Sequence, residues 1–210
     1  MSHEHEHGHP HDPIEQDVGA RKDFILLEMA VRELLVEKGI FTAADVTQQI
    51  EDMDARTPAQ GARIVAKFWT DPKFRELALR DGKAAAEQAG CDMLAAPELV
   101  ILENTPALHH VVVCTLCSCY PRAVLGIPPA WYKSKEYRSR VVADPRGVLR
   151  EFGTAIAADV EIRVVDSTAD MRYLVVPVRP AGTERLSEAQ LAELVTRDSM
   201  VGVAHARPPG

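Results

Sequence analysis

The chain has 210 residues, 46% of them apolar and 26% charged, the proportions of an ordinary globular protein of one or two compact domains. A chain this long can withdraw roughly 70% of its unfolded surface from water, so no disulfide or structural metal is needed to hold a core, and a metal site is expected to serve chemistry. The 24 Lys plus Arg stand against 31 Asp plus Glu, a formal charge of -7, which argues against the basic surface that nucleic acid requires.

The N-terminal MSHEHEHGHPHDP carries neither an apolar signal core nor an Arg-rich transit pattern. No run reaches the roughly 18 to 20 apolar residues of a membrane span, so no membrane association and a cytoplasmic location are expected. Residues 1–20 are polar and aperiodic and read as a disordered tail, with His3, His5, His7, His9 and His11 on alternate positions able to collect divalent metal. From Arg21 to Lys38 strong helix formers carry Leu27, Val31, Leu34 and Leu35 at helical spacing, and Gly39 supplies a stop. Thr42 caps a second helix over Ala43 to Met53. Thr57 before Pro58 and Asp71 before Pro72 open two more, each placing a capping oxygen ahead of a proline whose missing N–H costs nothing in the first turn. Residues 21–90 are thus expected to form a helical arm whose apolar stripes are covered either by a partner subunit or by the rest of the chain.

After Gly90 the pattern becomes strand-like, at ELVILE from Glu98, HVVV from His110, VEIRVVD from Val160 and RYLVVPV from Arg172. A Gly/Pro loop occupies Leu125 to Pro129, and a helix from Lys135 to Phe152 is interrupted at Asp144 and Pro145. Ser187 with Gln190 forms a capping box for a last helix to Arg197, and MVGVA is expected as a final strand. Residues 91–210 therefore read as an α+β unit, a layered α-β-β-α globular domain behind the helical arm.

Three of the four cysteines, Cys114, Cys117 and Cys119, fall within six residues in VCTLCSCYP. Such crowding reads as metal or redox chemistry, and thiolates select soft or borderline metals. A zinc or iron–sulfur site normally takes four protein ligands from two knuckles, and a second knuckle is missing. Cys91 stands alone and reads as a small buried apolar residue. The tripeptide Cys117-Ser118-Cys119 can supply the remaining donors itself: two sulfurs and the amide nitrogens of Ser118 and Cys119 close one six-membered and two five-membered rings around a single ion. Cys114 adds an axial thiolate and one position stays open. Amide nitrogens donate only after losing a proton, so a low-spin trivalent iron or cobalt is the natural occupant, a Lewis acid able to activate water or polarise a bound group. A structural zinc knuckle and a redox-sensing thiol group are the plain alternatives.

VCTLCSCYP resembles the metal claw of nitrile hydratase α subunits and of the related thiocyanate hydrolase γ subunit. The likeness extends through LGIPPAWYKSKEYRSRVVADPRGVLREFG, VEIRVVDSTADMRYLVVPVRPAGTE and LVTRDSMVGVA, spanning Asp23 to Ala204. It implies that Cys114 remains a thiolate, that Cys117 and Cys119 are oxidised to sulfinic and sulfenic acids, and that the amides of Ser118 and Cys119 complete the plane. Oxygenated sulfur donates less, which raises the acidity of the metal, and a sulfenate oxygen is a candidate nucleophile. Thr115 and Tyr120 resemble the cobalt branch, implying one Co(3+) per subunit with Fe(3+) less favoured.

The resemblance further implies a hetero-oligomer with a β-type partner of one or two chains, a heterodimer or heterotetramer, whose arginines hold the oxidised sulfurs. This chain shows no obvious arginine pair of its own. A metallochaperone or activator and a small nitrile substrate belong to the same expectation. Two departures stand out. Arg122 occupies a position where many relatives place tryptophan, and either draws an anion such as thiocyanate or bridges to the partner. Ala95 stands where a glutamine is expected behind the site. Trp69 and Trp131 read as packing residues, with Trp131 and Tyr132 bordering the substrate pocket, while His109 and His110 read as structural. The expected function is hydration of a nitrile to its amide by a cobalt-type nitrile hydratase, the nitrile nitrogen on the metal and the carbon attacked by the Cys119 sulfenate or by activated water. Thiocyanate hydrolysis on the same claw is the alternative, and a non-enzymatic metal carrier or sensor is the alternative of another class.

Overall fold

The computed structural model describes residues 18–210, so the histidine-rich tail lies outside the described residues. Helix α1 covers Val18–Glu37 and ends where Gly39 takes φ 67°, returning the Ile40 N–H to the Leu35 carbonyl at 3.0 Å. Helix α2, Ala43–Asp54, opens with the expected Thr42 cap: its hydroxyl accepts from the Asp45 N–H at 3.1 Å, and its own N–H donates to the Asp45 carboxylate at 2.7 Å. Neither helix contributes a buried side chain among the described residues.

Helices α3 (Pro58–Thr70), α4 (Pro72–Arg80) and α5 (Gly82–Gln88) behave differently. Asp71 accepts from the N–H groups of Lys73 and Phe74 at 2.9 and 3.1 Å, as the sequence implies, and Asp81 caps α5 at Ala84 at 2.9 Å. Helix α3 buries Ile64, Val65 and Phe68, and Gly61 lets it approach so closely that a Cβ there would lie 2.8 Å from Leu125 and Met200. These three helices share one hydrophobic core with the strands, so the change of sequence pattern at Gly90 is not a break in packing.

Strands β1 (Glu98–Glu103) and β2 (Leu108–Val113) follow, then the cysteine loop and the short helices α6 (Arg122–Leu125) and α7 (Ala130–Lys133). Helices α8 (Lys135–Ala143) and α9 (Pro145–Glu151) are divided at Asp144 and Pro145 as expected, and Asp144 caps the second at the Gly147 N–H, 2.9 Å. Strands β3 (Glu161–Asp166) and β4 (Met171–Val176) complete two parallel pairs, β1 with β4 and β2 with β3. Val113 pairs with Asp166 in the second, and the pairs meet where β2 packs on β4. Helices α4 and α5 pack on β1, α9 on β3, and α3 against β4. The architecture is a mixed helix and strand fold.

The C-terminus departs from expectation. Helix α10 runs Glu188–Glu193, shorter than predicted, because Thr196 starts a new helix, α11 (Arg197–Val201), by accepting from the Ser199 N–H at 3.1 Å. MVGVA is therefore no strand: Met200 and Val201 finish that helix, Gly202 ends it at φ 89°, and the apolar run is buried against the core rather than paired. Among the described residues no helix is long and apolar enough to cross a membrane.

Candidate metal centre

Strand β2 is buried from His109 to Val113 and delivers Cys114, itself buried, to the start of a tight loop. Within that loop the Cys117 sulfur lies 3.5 Å from the Cys114 sulfur and 3.2 Å from the Cys119 sulfur, and the Cys117 N–H donates to Cys114 at 3.3 Å. Among the described residues, this trio is the one group of three or more His, Cys, Asp or Glu side chains whose ligand atoms gather within 4.8 Å.

The spacing tests what the trio could hold. With metal–sulfur bonds of about 2.3 Å, neighbouring corners of an octahedron stand about 3.3 Å apart and those of a tetrahedron about 3.8 Å. The Cys117–Cys119 distance of 3.2 Å fits the octahedron, and the 3.5 Å to Cys114 falls between the two. The donor set therefore suits a six-coordinate ion better than zinc.

The sulfurs are electrostatically unequal. The Cys119 thiol, the Cys114 thiol and the backbone N–H groups of Ser118 and Cys119 all donate toward Cys117, in that order of weight with Ser118 the stronger amide, and push its thiol down to about 7. Partial burial and donation to Cys117 push Cys119 up to about 12, with Arg172 pulling the other way.

The loop is held from behind. Thr115 donates its N–H to Asp166 at 3.0 Å and its hydroxyl to the other carboxylate oxygen. Arg138 on α8 donates to the Cys117 carbonyl at 2.7 Å, and the Tyr132 hydroxyl to the Cys119 carbonyl at 2.8 Å. Tyr137 ties the preceding strand through the Val112 carbonyl at 2.7 Å, and Ser167 N–H bonds to the Val113 carbonyl, also at 2.7 Å. Burial holds the hydroxyls of Tyr132 and Tyr137 above the ordinary tyrosine range, so both are neutral donors. Asp166 and Arg138 were not anticipated from sequence; they lie 51 and 21 positions from their partners, beyond any local pattern.

A cleft of about 390 Å³ opens onto Cys117, Ser118 and Cys119. Ala95, read from sequence as standing behind the site, and Arg122 both line it, and Arg56 and Arg172 join them, so the chain does place arginines of its own beside the claw. Gly126 sets the approach of Arg56: at φ 68° its backbone lies so near that a Cβ would stand 2.2 Å from the Arg56 carbonyl oxygen. Trp131 is absent from the lining, contrary to expectation. Its ring packs edge-on to Tyr137 at 4.9 Å and Phe152 at 4.8 Å, in an aromatic cluster behind the loop, because its apolar area finds more cover there than at a cleft wall.

The remaining residues are structural. The His109 Nε2 meets the Gly202 carbonyl at 2.7 Å and its Nδ1 the Asn104 amide at 3.2 Å, while the His110 N–H donates to the same Asn104 at 2.7 Å. Burial pushes both rings below the usual histidine range, which suits neutral donor–acceptor links. Trp69 donates to the Pro177 carbonyl at 3.0 Å, and Cys91 is buried with its thiol pushed up by desolvation.

Fold and site together define a protein that carries a cluster of three cysteine sulfurs at the end of a parallel strand pair. The chain belongs to the nitrile hydratase alpha-chain family, whose model matches residues 22–204. It is 51% identical over 182 residues to the high-molecular weight cobalt-containing nitrile hydratase subunit alpha of Rhodococcus rhodochrous, covering 86% of this chain and 90% of that one. It is 47% identical over 197 residues to the thiocyanate hydrolase subunit gamma of Thiobacillus thioparus, covering 89% and 81%. Among solved structures, a recombinant thiocyanate hydrolase comprising partially-modified cobalt centers superposes with a TM-score of 0.84 at 47% identity, covering 90% of this chain and 91% of that one.

Proposed function

We propose that this chain is the metal-bearing alpha subunit of a cobalt-type nitrile hydratase, adding water across a nitrile to give the amide. The observation that carries the reading is the convergence of the three sulfurs, 3.2 and 3.5 Å apart, in the loop that also carries the amides of Ser118 and Cys119. Cys114, Cys117, Cys119 and the two amide nitrogens would hold the ion, cobalt in preference to iron, which supplies Lewis acidity toward a nitrile nitrogen. Cys114, buried at the strand end, serves as the permanent thiolate. Cys117 and Cys119 border the cleft, where the Cys117 thiolate would take up both atoms of one dioxygen as sulfinate and the Cys119 thiolate, with a second dioxygen and a water, would give sulfenate and hydrogen peroxide. The Cys119 sulfenate oxygen then meets the nitrile carbon, and water restores that oxygen as the amide leaves.

In this reading α1 and α2 form the arm that docks on a β-type partner, because Phe24, Ile25, Leu27 and Val31 are exposed. Residues 58–90 belong instead to the metal-binding body, which we read as an α-β-β-α stack. Heterodimer or heterotetramer assembly, activator-assisted loading and a cytoplasmic location complete the proposal.

A second reading, thiocyanate hydrolysis, is favoured by one observation: Arg56, Arg122 and Arg172 line the same cleft, where three guanidinium groups suit an anion. The test purifies the complex with its partner, measures metal by elemental analysis, and compares turnover of an uncharged nitrile with that of thiocyanate. Nitrile turnover by a cobalt-loaded complex supports the first reading, thiocyanate turnover alone the second. Metal without either activity supports a carrier.

A further inference from the structure

We infer that Arg138 is a metal-retaining residue, acting through the Cys117 carbonyl without touching the ion; this rests on the claw reading above. The Cys117 carbonyl and the Ser118 nitrogen are two ends of one resonant peptide unit. When that nitrogen becomes a metal donor, its N–H bond breaks, the proton passes to solvent, and the negative charge left behind is shared with the Cys117 oxygen. The group that meets this oxygen is a guanidinium, at 2.7 Å.

A neutral carbonyl is satisfied equally by a charged or an uncharged donor, whereas one that carries amidate charge gains from a cation. The neighbouring Cys119 carbonyl shows the contrast: it belongs to the peptide of Tyr120, whose nitrogen is not among the donors, and its partner is the uncharged Tyr132 hydroxyl at 2.8 Å. Of the two carbonyls whose peptide nitrogens would ligate, those of Cys117 and Ser118, the first meets a guanidinium, while the Cys119 carbonyl, whose peptide nitrogen would not ligate, meets a plain hydroxyl. The guanidinium is also fixed in advance. Its Nε donates to the Ser134 carbonyl at 3.3 Å, and Ser134 caps α8 by accepting from the Tyr137 N–H at 3.1 Å. The bond to Cys117 is therefore present in the metal-free chain as an ordinary hydrogen bond and becomes charge-assisted at both ends once the claw closes, which stabilises the loaded state over the empty one.

The test uses the full chain with its partner, produced with cobalt, as wild type, Arg138→Lys, Arg138→Gln and Arg138→Met. Two quantities are read: cobalt per complex during challenge with a chelator, and the thermal midpoint of the metal-free chain. Arg138→Gln keeps an N–H donor without charge, so its metal-free midpoint should match wild type while cobalt leaves at least about tenfold faster, the scale of a hydrogen bond to a charged group. Arg138→Met should lose cobalt at least as fast, and Arg138→Lys should fall nearer wild type. Should Arg138→Met not fold, the Lys and Gln variants decide, since both donate and only one is charged: equal retention overturns the inference. A wild-type complex that holds no cobalt or iron overturns the proposed function and this inference with it, whereas loaded wild type and Arg138→Gln releasing metal at one rate overturn the role of Arg138 alone.

Discussion

The cysteine loop and the first two helices are opposite solutions to the same sequence problem. Both carry exposed apolar or reactive side chains, Leu116 and Cys117 in the loop, and Phe24, Ile25 and Leu27 in α1. The loop is nonetheless tied down on its inner side by Asp166, Arg138 and Tyr132, whereas α1 and α2 bury no side chain among the described residues. The loop is anchored from within the chain; α1 and α2 keep their apolar side chains outward, where the proposed partner would cover them. The contrast teaches where damage should appear: in chemistry with stability spared, or in assembly with the subunit spared.

The largest effect is expected inside the loop. Cys114→Ala removes the buried sulfur at the strand end and should leave the complex without metal or turnover, read by elemental analysis alongside an activity assay. Retained metal at wild-type occupancy would break the comparison, since the loop would then bind without its deepest ligand. Next comes Leu27→Asp on α1, which is 59% exposed in the isolated chain. It should change the stability of the subunit by no more than about 0.5 kcal/mol, the usual bound for surface positions, while abolishing co-elution with the partner. Matching loss of both would mean that α1 stabilises its own body instead. The smallest effect sharpens the view of the loop itself. Because Cys117 is pushed down to about 7 and Cys119 up to about 12, alkylation of the metal-free chain should rise as pH rises through about 7 at Cys117, with Cys119 lagging. Mass spectrometry of the labelled peptide distinguishes the two sites, and equal labelling at neutral pH would show the sulfurs to be equivalent.

Much of this was legible in the order of residues. Thr42 and Asp71 cap where their sequence context places them, because a cap needs only neighbours within three positions, whereas at Thr57 the bond runs from its N–H to the Gln60 side chain. The ELVILE strand is found with its predicted bounds, and the three sulfurs of the closely spaced cysteines lie together. What escaped depends on pairing between distant segments. Asp166 reaches Thr115 only because β3 lies in register with β2, and Arg172 enters the cleft because β4 pairs with β1. Trp131 packs as its sequence reading has it but away from the cleft it was expected to border, since the aromatic cluster that claims it includes Phe152, 21 positions on. The final helix was mistaken for a strand because five apolar and glycine residues give no period, and the deciding cap at Thr196 stood just upstream.

The direction of the two central strands carries a last consequence. Val113 and Asp166 are the closing residues of β2 and β3, and they are register partners, so both strands run out at one rim. Had β3 run the other way, its closing carboxylate would stand about 17 Å off, five strand steps distant, and the threonine between the first two sulfurs would have nothing to grip. The grip on the loop is thus borrowed from topology: a carboxylate and a threonine far apart along the chain become neighbours because two ribbons finish side by side.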